Sequence, residues 1–434
     1  MSTGWTSFER AALKTGLEEA LNEGYPTFNF STIVRGTNTY VLKVELPFRK
    51  GKPLRAIVKW FHNEPKSDNR EPVHDSFNRL DVLYNSEERN LQSIGEMVDP
   101  GRRLIPNVYG RSHSQRMIVM EAIGSTPKKS KVLRRAQAVK YTGEQATIPH
   151  RLVPMFINAV DTLSLLVGAC NAKASELNKK YDYNQDATYR EERWVDSFEE
   201  RLNRLYHRKH PKKDFPEGVN RALNDLHQHS TAFREPEWFY HGDFNLLQLL
   251  GEKVIDFESF GKYGSGKDFA TLLVLAGLKD SSGILCSTSF QYLVDRYIVG
   301  TQFAQEAGSL QEAKKRIYTL SELTPSEVHE STLQIQDSEE QYANFQSSVF
   351  YHALNEHIRL AAAYNRMEQR GIEAIGNEKL DYKQFVDGLQ VGMVHLLNFV
   401  LEKGKILDKV SDKKERREFF QGYQGLLQKL DLLG

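Results

Sequence analysis

The apolar residues of this chain change their period once, and that change limits the fold more than any other feature. Residues 27–46 (TFNFSTIVRGTNTYVLKVEL) alternate and are rich in Thr, Val, Tyr and Phe, which predicts two strands around Gly36. Residues 54–61 (LRAIVKWF), 104–110 and 116–123 predict further strands. Between them, Phe77, Leu80, Leu83, Leu91 and Ile94 recur at helical spacing and predict a helix over 76–97. Another helix is expected over 7–22, closed by Gly24 and Pro26. Beyond residue 150 helical spacing takes over, in 152–178, 190–207, 216–230, 266–280, 286–307, 309–322, 324–372, 382–403 and 412–432. The break in that run is 238–260, which reads as a short strand pair. Strands gathered at one end and helices at the other predict an α+β protein instead of an alternating one.

The length, 434 residues, gives a soft prior of about two or three domains. The pattern divides the chain into a β-rich N-terminal part, 1–125, and a helical C-terminal part, 126–434. Lys plus Arg number 58 and Asp plus Glu 57, so net charge supplies no drive toward nucleic acid or a membrane surface. No window reaches about 18 uninterrupted apolar residues, and no membrane span is expected. The N-terminus carries charges at Glu9, Arg10 and Lys14 and no apolar core of signal-peptide length. A soluble, cytoplasmic protein is the expectation. Two cysteines, Cys170 and Cys286, rule out a disulfide framework or a cysteine-based zinc site, and two buried thiols are expected. The basic stretch 127–150 reads as a solvated loop. So do the acidic helices of 320–345, whereas the apolar positions of 347–363 and 389–401 read as core stripes.

Chemistry concentrates in the break. It runs Trp238-Phe-Tyr-His241-Gly242-Asp243-Phe-Asn245-Leu-Leu-Gln248-Leu-Leu-Gly251-Glu-Lys-Val254-Ile255-Asp256-Phe257-Glu258. Two apolar strand halves flank Gly251, which predicts a tight hairpin with Asp243 before it and Asp256 at its end. Paired carboxylates with the Gln248 amide suit a hard, oxygen-preferring divalent cation and a general base beside it.

His-Gly-Asp, an amide five residues later and a hydrophobic Asp-Phe-Glu segment resemble the aminoglycoside phosphotransferase and choline kinase superfamily. The resemblance implies a two-lobed, protein-kinase-like fold. The β-rich N-lobe would bind ATP, and the helical C-lobe would carry the catalytic loop and the acceptor. It implies that Asp243 orients or deprotonates a substrate hydroxyl, and that Gln248 and Asp256 hold Mg²⁺ on the ATP phosphates. Gly266-Lys-Asp268-Phe-Ala looks like the family segment that buttresses the catalytic loop. Upstream, Ala56-Ile57-Val58-Lys59 looks like the strand lysine that pairs with ATP phosphates. Glu87 resembles the helix glutamate that pairs with that lysine, with Glu88 the alternative. Ile118 to Gly124 resembles the hinge, where backbone groups of Glu121 and Ala122 would meet adenine. Gly36, within Arg35 to Thr39, stands where a phosphate-covering loop belongs. The resemblance runs in the right order over about residues 27–275. It departs at Gln248, where most members have Asn and the maltokinase-like members have Gln; in the short loop from Asp243 to Asp256; and in the single glycine of the covering loop.

The function implied is transfer of the γ-phosphoryl group of ATP to a hydroxyl of a small molecule, of sugar, amino alcohol or aminoglycoside type. Two alternatives remain: a catalytically inactive nucleotide-binding member, and a protein kinase. Against the latter, the loop reads HGD in place of HRD and no APE-like segment follows Asp-Phe-Glu.

Overall fold

The computed structural model describes residues 5–24, 28–35, 39–49, 52–62, 75–123, 153–181, 183, 198–211, 213–233, 238–246, 248–276, 285, 288–336, 338–369, 374–375, 378–379, 382–403 and 405–432. Gly36, Cys286, the polar loop that begins after His62 and the basic stretch 127–150 lie outside these residues. The chain is α+β. It divides into two compact units, one formed by Met1–Thr126 with Leu249–Phe260 and the other by Pro127–Gln248 with Gly261–Gly434.

The first unit is built on a five-stranded sheet. Its strands are β1 (Asn29–Arg35), β2 (Thr39–Arg49), β3 (Lys52–Phe61), β4 (Val108–Ser112) and β5 (Met117–Glu121), in the order β1-β2-β3-β5-β4, antiparallel throughout. Side chains of a strand alternate between faces. On β3, Ala56, Val58 and Trp60 enter a core with Tyr40, Leu42, Val44, Met117 and Val119. Leu13, Leu17 and Leu21 of α1 (Ser7–Leu21) complete that core. Thr6 starts α1 as a capping box: its hydroxyl accepts from the Glu9 N–H, and the Glu9 carboxylate accepts from Thr6 N–H. The alternation places Ile57, Lys59 and Phe61 on the opposite face, where Phe61 meets Tyr84 of α2 (Asp75–Ser93) edge to face. Residues 104–107, expected as strand, are irregular. The Asp99 carboxylate gathers the backbone N–H groups of Arg103, Leu104 and Ile105 at 2.9, 2.7 and 3.1 Å, which bends the chain before β4 can begin.

The hairpin expected around Gly251 is present. Leu249–Leu250 pairs with Lys253–Val254, and Gly251 sits at φ 64°, a conformation that its lack of a Cβ makes inexpensive. Val254 N–H donates to Leu104 O at 2.8 Å, tying the hairpin to the first unit.

The second unit is helical. Its core pairs α3 (Val153–Ala172) with α8 (Thr288–Glu306), and α11 (Glu339–Gln369) with α7 (Lys267–Ala276) and α12 (Tyr382–Asn398). Around these lie α4 (Ala174–Tyr181), α5 (198–209), α6 (Val219–Ser230), α9 (Leu310–Thr319), α10 (Pro325–Ile335) and α13 (Lys413–Lys429). Helix α3 is long and apolar enough to cross a membrane. Its Asp161 instead holds the fully buried Arg296 of α8 in a two-pronged ion pair at 2.6 and 2.8 Å, the packing of a core helix. The single helix expected over 324–372 is two. The first ends at Ile335, and the Ser338 hydroxyl accepts from Gln341 N–H at 3.2 Å, an N-cap that begins a new helix. A short ladder of β6 (Trp238–Tyr240) and β7 (Gly261–Tyr263) carries the segment that follows Tyr240. Asn171 of α3 holds β6 in place by exchanging both amide bonds with Phe239, at 3.0 and 3.2 Å.

Candidate catalytic and nucleotide-binding residues

The first unit gathers a charged cluster from three separate stretches. Lys59 rises from β3, Glu87 from α2, and Asp256 with Glu258 from the turn after the hairpin. Lys59 is 6% exposed, a depth at which an ammonium requires counter-charges. Its Nζ contacts Asp256, lies 3.2 Å from Glu87 Oε2 and 3.5 Å from Glu258 Oε2. Glu88, the alternative partner, pairs with Arg111. The turn that carries Asp256 is itself held from α2. Asn90 lies one helical turn after Glu87 on the same face, and its Nδ2 donates to Phe257 O at 2.7 Å. Asp256 occupies the left-handed region at φ 73°, which lets the chain reverse and bring Asp256 and Glu258 onto one cation.

Burial works against the charge of Lys59, but Asp256, Glu87 and Glu258 outweigh it and hold the ammonium protonated above its ordinary range. The Glu87 carboxyl is pushed up to about 7, chiefly by burial; Lys59 pulls it down, and Asp256 and Glu258 push it up again. The fold therefore binds more protons at Glu87 than the unfolded chain does between pH 4.5 and about 7. The stability this group lends is complete below that window and is lost as pH rises through it. Glu87→Gln is expected to flatten this loss, worth about 1–3 kcal/mol. Urea unfolding of both proteins on either side of the window checks it; parallel stability profiles would overturn it.

Glu121 ends β5. Its N–H donates to Asn107 O at 2.8 Å, and its carboxylate holds Lys253 at 2.5 Å and the Asn107 side chain at 2.9 Å. These bonds fix the start of the expected hinge, and Ala122 follows it without regular structure.

The second unit holds the His-Gly-Asp turn. Gly242 sits at φ 87°, where an L side chain is strained. Its N–H donates to Asp268 Oδ1 at 2.9 Å, and that of Phe244 to the same oxygen at 3.3 Å. Asp268 lies on the first turn of α7 and is fully buried. Burial raises its carboxyl, while His241 and Lys267 draw it down. The segment expected to buttress the loop thus does so through two backbone bonds. His241 is buried against Phe244, a packing role. Asp243 is left 35% exposed beside the motif, and its Oδ1 accepts from Arg359 Nη2 at 2.9 Å. Gln248 is buried in the same unit, its N–H donating to Asn245 O at 3.0 Å.

The chain matches no family model, and no curated protein matches it in sequence. Among solved structures it is similar to a macrolide 2'-phosphotransferase type I. Identity is 12% and the TM-score 0.39, over 76% of this chain and 97% of that one.

Sequence reasoning did not single out Asn90, Glu356 or Arg359. For Asn90 the signal was its place three residues after Glu87. For the other two it was a Glu-x-x-Arg pair set within an apolar helical stripe, spacing that brings both side chains to one face.

Proposed function

We propose that the protein transfers the γ-phosphoryl group of ATP to a hydroxyl of a small molecule of sugar, amino alcohol or aminoglycoside type. The observation that carries this reading is the convergence of Glu87, Asp256 and Glu258 on the buried Lys59, from stretches far apart in the sequence. A cluster of this kind is an arrangement for polyphosphate and metal, since phosphoryl transfer rests on positioning and charge neutralisation. Lys59 would pair with the phosphates, with Glu87 setting its position. Backbone groups at Glu121 and Ala122 would meet adenine, and Gly36 would lie in the loop over the phosphates.

The donor set fits magnesium. Carboxylate oxygens of Glu87, Asp256 and Glu258 lie within 4.8 Å of one another, and three carboxylates exceed the single charge of Lys59. Asp256 and the side-chain carbonyl of Gln248, as in maltokinase-like enzymes, would hold the ion, which neutralises phosphate charge when bound. Asp243 takes the acceptor's hydroxyl proton. The hydroxyl oxygen bonds to the γ-phosphorus as the bond from that phosphorus to ADP breaks, and the electron pair leaves with ADP.

The test has two arms. ATP is titrated with and without Mg²⁺, and hydroxylated metabolites are screened by coupled ADP release. Magnesium-dependent binding with acceptor-dependent ADP release supports the reading. Binding without release under any acceptor favours the inactive nucleotide-binding alternative, and labelled protein products in a cell extract favour a protein kinase.

A further inference from the structure

Arg359 comes from α11, 116 positions after Asp243, and meets its carboxylate. One turn earlier in the same helix, Glu356 is 2% exposed and accepts from Arg359 Nε at 2.8 Å and from Nη2 at 2.5 Å. This two-pronged pair fixes the plane of the guanidinium. A guanidinium has five N–H donors. The Nε donor and both Nη2 donors are engaged by Glu356 and Asp243, whereas the two on Nη1 meet no partner among the described residues. The side chain is 34% exposed, matching Asp243 beside it, so both reach solvent together.

Further cations lie near the pair. Lys267 Nζ lies 4.0 Å from Glu356. Arg201, on α5, is shifted down by burial and by the nearby charge of Arg359, while Glu356 and Glu200 draw it up. An oxyanion brought to this edge would meet open Nη1 donors on a guanidinium whose plane is already fixed, and an ammonium would meet a like charge.

We infer that the Nη1 edge of Arg359 binds an oxyanion on the phosphoryl acceptor, a carboxylate or a phosphate, so that the acceptor is a hydroxylated anion and not an amine. This rests on the reading of Asp243 as the acceptor's base. Arg359 then has two tasks: Nη2 orients the base, and Nη1 anchors the molecule whose hydroxyl that base serves. The Glu356 carboxylate beneath holds the guanidinium plane for both.

The first experiment does not need turnover. Phenylglyoxal modification of Arg359 in the intact protein is followed by peptide mass spectrometry with glucuronate, glycerate, glucose 6-phosphate, glucose or glucosamine present. Protection by the hydroxy acids or by the sugar phosphate, and not by glucose or glucosamine, is expected. The two anionic arms separate a carboxylate from a phosphate ligand. Equal protection by all, protection by none, or preference for the amine overturns the proposal. Protection without any ADP release would separate failure of the phosphotransferase reading from failure of this one.

The second compares Arg359→Gln and Arg359→Lys, the latter keeping a charge over Glu356 if the former fails to fold. Each is expected to lower kcat/KM for an anionic acceptor relative to a neutral one by about 10- to 100-fold, mostly through KM, the worth of a charge-assisted hydrogen bond. Equal losses for every acceptor, accompanied by weaker ATP binding, would place Arg359 on the nucleotide and overturn the assignment.

Discussion

Asp243→Asn lowers turnover by about a hundred- to ten-thousandfold, the range for removal of a positioned general base, while ATP binds as before. The substitution is nearly isosteric. An asparagine carbonyl oxygen can still accept from Arg359 Nη2 at the site where Asp243 Oδ1 now does at 2.9 Å. The turn itself is held by Asp268 on the backbone of Gly242 and Phe244. Loss of activity would therefore not come from loss of the loop. What disappears is the ability to take a proton. Thermal unfolding and calorimetric ATP titration should match the wild type, and coupled ADP release should not. Full turnover in the variant would remove Asp243 from the chemistry and leave its contact with Arg359 as a surface ion pair.

How much of this was legible in the sequence differs by element, for physical reasons. The strands of the first unit announce themselves because one face is buried and the other is not, so a period of two is imposed on residues 27–46 and 54–61. The hairpin was legible because a glycine between two apolar pairs has few alternatives. Residues 104–107 misled because Leu104 and Ile105 are buried in an irregular segment held by Asp99, and an apolar pair carries no period. The joint at 336–338 was hidden because the apolar stripe resumes after it and only the Ser338 cap marks the restart. Within the candidate site, Lys59, Glu87 and Asp256 could be named because each sits in a local motif. For Arg359 and Asn90 the local spacing shows only which helix face they share with Glu356 and Glu87; what defines them is a partner 116 or 167 residues away, a distance that spacing does not encode.

Asp256 offers the sharpest separation of nucleotide binding from metal binding. Asp256→Asn is expected to raise the ATP dissociation constant in Mg²⁺ to its value without the ion, a loss of about 10- to 100-fold, the scale of a lost charge-assisted contact. Asparagine is the variant of choice because position 256 lies at φ 73°, which Asp and Asn tolerate and alanine resists at a cost of about 1–2 kcal/mol. The change removes one carboxylate from Lys59 but leaves Glu87 at 3.2 Å and Glu258 at 3.5 Å, so the ammonium stays compensated and the first unit stays folded. Asp256→Ala should show the same loss of magnesium dependence with an added fall in unfolding temperature from backbone strain. Lys59→Met provides the complement: it weakens ATP binding with and without the ion, because it deletes the phosphate's partner and leaves three carboxylates facing the ligand. If Asp256→Asn left the magnesium dependence intact while Lys59→Met abolished binding, the cation would have to be held by groups other than Asp256, and the cluster around Lys59 would serve the phosphates alone.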